Sequence, residues 1–334
     1  LPHNFAVDPL EAAVDDRQLL AKLAAGPLSG DTLARELGQT RAAIWKRIQA
    51  LRSAGVDIQG QAGAGYGITR RVSLLEAEAI RSQLPAEVGM LIDDLQIAWT
   101  VESTNGELLR CNAPEQGVRV LLAERQTGGR GRRGRTWASP LAANVYLSVL
   151  RSFAGGLVRL SGLSLVAGVA VAEALHDLGF TRAGLKWPND LLVDGRKLVG
   201  LLVEGGGEYA GPARAVIGIG INVHMPATAA EQISQPWVDL DTLQGSAVER
   251  NTVVAAVLTR LLPALELFDA QGLAPFLPRY AGLDLLAGRE VRVELGGQWR
   301  DGQALGLAED GALRVLIDGQ EQRVHAGDVS VRVS

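Results

Sequence analysis

From Arg17 onward, apolar residues recur at helical spacing with short interruptions. Leu19, Leu20 and Leu23 predict a helix stopped by Gly26-Pro27, and Leu33 and Leu37 predict a short second helix, capped by Asp31 and ending at Gly38. Thr40 is a good N-cap for a third, whose core stripe Ile44, Ile48, Leu51 falls at i, i+4, i+7 before Gly55. The Gly38-Gln39-Thr40 link is helix-turn-helix spacing. Val56-Asp57-Ile58 and Tyr66-Gly67-Ile68 then flank a glycine-rich tip (Gly60, Gly63, Gly65), as in a small hairpin or wing. The pattern predicts a winged helix over residues 16–71, with Arg41, Ala42, Trp45, Lys46 and Gln49 left facing outward behind the Thr40 cap. Arg, Lys and Gln are side chains that meet phosphates and base edges, so this face is expected to bind DNA; a plain helical bundle with a solvated basic face is the alternative.

Residues 72–283 mix strand-like and helix-like segments without repeats, as in one α+β domain, and Pro263 is expected to bend or split the helix predicted from Thr252 to Ala270. From 284 the runs Val291-Arg292-Val293, Leu313 to Ile317 and Val329-Ser330-Val331, separated by Gly296-Gly297, Asp310-Gly311 and Asp318-Gly319, predict a small antiparallel barrel. Residues 1–15, with Pro2 and Pro9, read as a flexible extension.

Composition narrows the function classes. The chain has 334 residues, 47% of them hydrophobic, enough for two or three domains with a sizeable core. Its longest apolar run, Leu163 to Leu175, is broken by Ser164, Gly168 and Glu173, so a membrane span is not expected. The single Cys111 excludes an internal disulfide, and no secretory signal opens the sequence, which makes the cytoplasm the expected compartment. His3, His176, His224 and His325 lie far apart, so a structural metal site is not expected either. The net charge of −4 hides an asymmetry: between Asp31 and Arg71 seven basic residues face three acidic ones. A basic module precedes an acidic body.

Three segments carry chemistry. Gly129-Arg130-Gly131-Arg132-Arg133-Gly134-Arg135 fits the dinucleotide pattern G-x-G-x-x-G, but it runs through Thr136-Trp137 into the strand-like Asn144 to Val149 and opens no helix, so a Rossmann site is excluded. What remains is a pliable backbone carrying guanidiniums able to bind a carboxylate or phosphate; a solvated basic loop or RNA-binding segment is the alternative. With four glycines in residues 128–135, the loop is expected to lack fixed structure until an anion orders it. Lys186-Trp187-Pro188-Asn189-Asp190 places a lysine in an apolar strand, where a charge costs free energy unless it meets an anion; pairing with Glu204 or Asp190 is the competing explanation. Ser103-Thr104-Asn105 alone reads as an N-cap.

Taken in order, Glu102 to Asn105, Gln126 to Arg135, Lys186 to Asp190 and Gly218-Ile219-Gly220-Ile221-Asn222 resemble the biotin protein ligases, and with the winged helix in front the chain looks like their bifunctional ligase and repressor type. The resemblance implies a class II synthetase-like mixed-sheet ligase domain and a C-terminal SH3-like barrel. It implies formation of biotinyl-5′-AMP from biotin and ATP with Mg2+, then transfer of biotin to a lysine of the biotin carboxyl carrier protein of acetyl-CoA carboxylase. It further implies repression of the biotin operon at its operator DNA by a homodimer formed on adenylate binding. By the same resemblance Ser103, Thr104, Asn105, Gln126, Arg130, Gly131, Arg132 and Lys186 hold biotin, and Arg132, Arg135, Trp137, Lys186, Asn189 and Asn222 hold ATP or the adenylate. Arg130, Arg132 and Lys186 are the expected catalytic residues. Thr127-Gly128 departs from the commoner Gln-Ala, and Trp45 is unusually bulky for a recognition helix. A lipoate or octanoate ligase-like enzyme, or a regulator whose central domain only senses a ligand, are the alternatives.

Overall fold

The computed structural model describes residues 10–61, 65–68, 70, 72–154, 156, 160, 162–207, 213–295, 297–326 and 331–333. Three helices, α1 (Leu10–Ala25), α2 (Gly30–Glu36) and α3 (Arg41–Ser53), precede the hairpin β1 (Ile58–Gln61) and β2 (Gly65–Ile68). Leu19, Leu20, Leu23, Leu33, Ile44, Ile48 and Leu51 close into one core, so the apolar stripe sets how the helices face each other. Thr40 caps α3, its hydroxyl accepting from the Ala43 N–H at 3.2 Å. Two expectations change. The first helix begins at Leu10, inside the segment read as a flexible extension, because Leu10 to Arg17 holds no residue that stops a helix; residues 1–9 lie outside the described residues. The cap of α2 is Ser29, which accepts from the Thr32 N–H at 3.0 Å, and Asp31 sits in the first turn, where its charge suits the helix dipole. The wing-tip Gly63 is outside the described residues.

The central sheet holds β3 (Ile92–Val101), β4 (Val118–Gln126), β5 (Val145–Phe153), β6 (Gly184–Lys186), β7 (Asp190–Val193), β8 (Arg196–Gly207) and β9 (Ala213–Ile221), in the order β3-β4-β5-β9-β8-β7-β6. The β3–β4 pair is parallel and the other pairs antiparallel. Helices Leu163–Asp177 and Arg250–Gln271 pack on each other and supply the apolar layer on one face. Pro263 does not split the second of these. The helix is continuous, since buried Leu258, Leu261, Leu262, Ala264 and Leu265 pack on both sides of the proline and hold its axis despite the lost N–H.

Five antiparallel strands form the C-terminal sheet: β10 (Glu290–Leu295), β11 (Gln298–Leu307), β12 (Leu313–Ile317), β13 (Gln320–Val324) and β14 (Val331–Val333), ordered β13-β12-β11-β10-β14. Asp318-Gly319, with φ of 51° and 76°, makes the tight turn expected of Asp-Gly. Of the predicted run 329–331, only Val331 is among the described residues. Val291, Val293, Leu313, Val315 and Ile317 belong to the same core as the central sheet. The Trp187 indole N–H donates to the Gly311 carbonyl at 3.1 Å and ties the two together.

The winged helix is also bound to the central body. Leu141 and Ala142 are part of its core, and the Leu141 N–H donates to the Ala54 carbonyl at the end of α3 at 2.8 Å. The connecting chain lies on a buried ion pair, Arg250–Glu124 at 2.7 Å. Arg250 also donates to the carbonyls of Ser73 and Asn144, and Glu124 accepts from the Leu75 N–H at 2.7 Å.

Candidate active site

Strand β9 alternates Ile217, Ile219, Ile221 with Gly218, Gly220, and a strand turns successive residues to opposite faces. The isoleucines enter the core, and the glycines leave the other face bare. Above it opens a cleft of ≈ 1040 Å³. The Trp137 ring lies on this floor: a Cβ on Gly220 would stand 2.5 Å from it, and one on Gly200, the register partner of Gly220 on β8, 2.7 Å. Lys197 Nζ is 5.5 Å from the centre of the Trp137 ring and 2.8 Å from Asp190 Oδ1. Gly220→Val is therefore expected to displace Trp137 and weaken ligand binding in the cleft, raising KM about tenfold or more, at an overpacking cost of about 1–3 kcal/mol. Gly206→Ala, with nothing within 4 Å of the added carbon, is expected to leave KM unchanged in the same steady-state assay.

A hydrogen-bonded wall closes one end. Ser103 caps helix Thr104–Leu109. Gln126, the last residue of β4, accepts from the Thr104 N–H at 2.9 Å and hydroxyl at 3.1 Å, and donates to Ser139 at 3.2 Å. Asn105 donates to the Leu202 carbonyl at 3.1 Å and to Glu204 at 2.8 Å, and accepts from Ser148 at 2.6 Å. These contacts make Asn105 a backing residue, seated where Gly218 leaves room.

The arginine loop folds back on itself as a narrow turn. The Gly131 N–H donates to the Arg135 carbonyl at 2.7 Å, and the Trp137 N–H to Gly129 at 2.9 Å. The chain reverses at Arg133 and Gly134, with φ of 57° and 69°, the left-handed conformation that glycine adopts without strain. Arg130 lies 3.6 Å from Glu204, and Arg132 donates to Asn189 at 3.2 Å, while Asn189 donates to the Leu201 carbonyl at 2.7 Å. Arg133 reaches Glu294 of the C-terminal sheet at 3.4 Å. Half-buried Lys186 ends β6, in register with Asp190.

The residues singled out from the sequence, Ser103, Thr104, Asn105, Gln126, Arg130, Gly131, Arg132, Arg135, Trp137, Lys186, Asn189 and Asn222, all line this one cleft. Asn222 sits at its edge with its amide donating to the carbonyls of Lys197 and Val238, each at 3.2 Å, a contact that shapes the wall. Sequence reasoning missed Lys197, Ser148 and the segment Gln232 to Trp237, which also lines the cleft, and it considered Glu204 only as a partner of Lys186, not as an acceptor for Asn105. Ser148 carried a signal, as a small polar residue in the otherwise apolar or aromatic run Val145–Val149; the segment 232–237 has no periodicity to betray it. Thr40, Arg41, Ala42, Trp45, Lys46 and Gln49 are placed apart from the cleft, at the start and along the outer side of α3.

A mixed sheet bearing a guanidinium loop opposite a Lys-Trp-Pro-Asn-Asp hairpin, preceded by a helix-turn-helix module, defines a ligase of the biotin and lipoate class. The family model "Biotin/lipoate A/B protein ligase family" matches residues 96–222, "HTH domain" matches 16–67 and "Biotin protein ligase C terminal domain" matches 287–332. The chain is 39% identical over 316 residues to the bifunctional ligase/repressor BirA of Escherichia coli (strain K12), covering 94% of this chain and 96% of that protein. It is 35% identical to the biotin–[acetyl-CoA-carboxylase] ligase of Mycobacterium tuberculosis, over 76% of this chain and 95% of that one. The solved biotin protein ligase from Aquifex aeolicus in complex with biotin and ATP superposes with a TM-score of 0.62 at 30% identity, over 72% of this chain and all of that one. The chain belongs to the bifunctional biotin ligase/repressor family.

Proposed function

We propose that this protein joins biotin to ATP as biotinyl-5′-AMP, passes the biotinyl group to a lysine of the biotin carboxyl carrier protein of acetyl-CoA carboxylase, and represses the biotin operon. The observation that carries the reading is the convergence of Arg130, Arg132 and Lys186 on one cleft that also offers a hydrogen-bonded wall and a flat indole floor. A biotin carboxylate oxygen attacks the α-phosphorus, and the bond from that phosphorus to pyrophosphate breaks. Both reactants are anions. Cations fixed in place before the reaction offset their repulsion and strengthen toward the transition state. The Thr104, Gln126 and Ser103 groups suit a neutral ureido ring, and Trp137 suits an adenine or the ring wall. In the second step the carrier amine attacks the acyl carbon and AMP leaves with the electron pair. No described residue need act as nucleophile.

Mg2+ fits this cleft in a limited way. Among the described residues no group of three His, Cys, Asp or Glu side chains could hold a metal, whereas the single carboxylate of Asp190 beside the phosphate-binding cations matches an ion bound chiefly by substrate oxygens. Held by Asp190, such an ion would supply further positive charge to the phosphate oxygens. Incubating the chain with MgATP, a carrier domain and either biotin or octanoate tests the assignment. Biotin alone is expected to label the carrier lysine; labelling by octanoate alone would favour the lipoate type.

The division into 16–71, 72–283 and 284–334 is part of this reading, supported by the separate sheets of the three segments. Deletion of residues 1–70 is expected to abolish operator binding in a band-shift assay. Because it also strips Leu141 and Ala142 of their packing next to Trp137, adenylation should fall too, within roughly 100-fold of the intact chain. The homodimer belongs to the proposal as well: adenylate held by Arg130 and Arg132 would stabilise the loop form that a second protomer meets, and dimers would place two winged helices on a palindromic operator. Sedimentation is expected to show the mass rising on addition of biotin and ATP; a mass that stays constant over a wide protein range contradicts the switch.

A further inference from the structure

Among the described residues of the winged helix, Trp45 is the one large apolar side chain left in the open, 56% exposed. It stands on α3 beside Ile44, which is fully buried, so its outward aim follows from the helix geometry that seats the core stripe. Residues three and four apart share a helix face, which groups Trp45 with Ala42 and Gln49. Ala42 is exposed and Gln49 half-buried. Two other cations of the helix are directed elsewhere: Arg52 donates to the Ile58 carbonyl at 2.8 Å and Arg47 to Asp16 at 2.8 Å. The outward face therefore has exposed Arg41, which pairs in the open with Asp31 at 3.1 Å, and exposed Lys46 at its borders, and a centre of Ala42 and Trp45. Border cations suit phosphates. Beyond the single indole N–H, a centre of Ala42 and Trp45 presents ring and methyl surface, which complements the one apolar group on a major-groove edge, the thymine C5 methyl.

Resting on the reading of α3 as the recognition helix, we infer that Trp45 is a specificity-determining residue whose indole packs on a thymine methyl in each operator half-site. Gln49, one turn on, then meets the adenine of a neighbouring A·T pair through its N6 and N7 atoms. The occupant of this face is an A·T-rich half-site of duplex DNA.

The test uses the full chain with biotin and MgATP. Duplexes enriched from a random pool are resynthesised with each thymine replaced singly by deoxyuridine, which removes a methyl and keeps every hydrogen bond. One thymine per half-site is expected to cost about fourfold in affinity, the scale of one buried methyl group. Trp45→Ala should erase that dependence while leaving the salt-dependent binding to unselected DNA in place, and Trp45→Phe should keep part of it. Wild-type protein indifferent to every methyl, or a Trp45→Ala variant with the same methyl dependence, overturns the inference. If no duplex is enriched at all, the DNA-binding reading fails and this one fails with it.

Discussion

Lys186→Ala is expected to lower biotin adenylation by about 10²–10³-fold, the usual loss when one preorganised stabiliser of developing charge is removed. The lysine ends a three-residue strand whose other residues are buried, and it lines the same cleft as Arg132 and Asn189. On the proposed reading its ammonium serves the carboxylate and phosphate that meet in this cleft. Transfer from biotinyl-adenylate supplied ready-made should fall less, because the repulsion between two anions is then already overcome. Lys186→Met keeps the aliphatic stem and should match the alanine variant in rate and the wild type in thermal stability. Pyrophosphate exchange within threefold of wild type would remove Lys186 from the reaction. A stability loss in both variants with adenylation retained would make it structural glue.

Arg250→Met is expected to destabilise the central domain by about 3–5 kcal/mol in chemical denaturation, since it leaves the carboxylate of Glu124 buried without its cation. Both side chains are almost wholly inaccessible, 2% and 0% exposed, and the arginine also satisfies the Ser73 and Asn144 carbonyls. The pair joins β4 to the chain that leads from the winged helix, so the loss should also weaken operator binding. Arg260 and Asp177 provide the contrast. They pair at 2.6 Å in the open, and Arg260→Ala should cost less than about 1 kcal/mol. Equal effects at the two sites would mean that the Glu124 region relaxes to admit water.

The α3 stripe was legible because Ile44, Ile48 and Leu51 obey one period and nothing competes with it. The C-terminal hairpins were legible from turn chemistry, as at Asp318-Gly319. Local signals failed where tertiary packing decides. The helix passes Pro263 because its neighbours hold it, and Ser29 takes the cap from Asp31 although both residue types suit it. In the cleft, charged and glycine-rich motifs pointed to residues that the fold gathers into one lining. Their backing was hidden, since Ser148 and the acceptor role of Glu204 acquire meaning only when β5 and β8 are laid beside the helix that begins at Thr104, and Lys197 only when β8 is paired with β7. The docking of Leu141 and Ala142 into the winged helix was likewise unreadable, being a contact between segments distant in sequence.

The central claim is that this cleft brings a biotin carboxylate to the α-phosphate of ATP. Exchange of labelled pyrophosphate into ATP by the purified chain measures that step directly, without carrier protein or DNA. The account predicts exchange that requires biotin and magnesium and falls by two or more orders of magnitude in Lys186→Ala. Exchange that proceeds equally without biotin, or none under any condition, would contradict it.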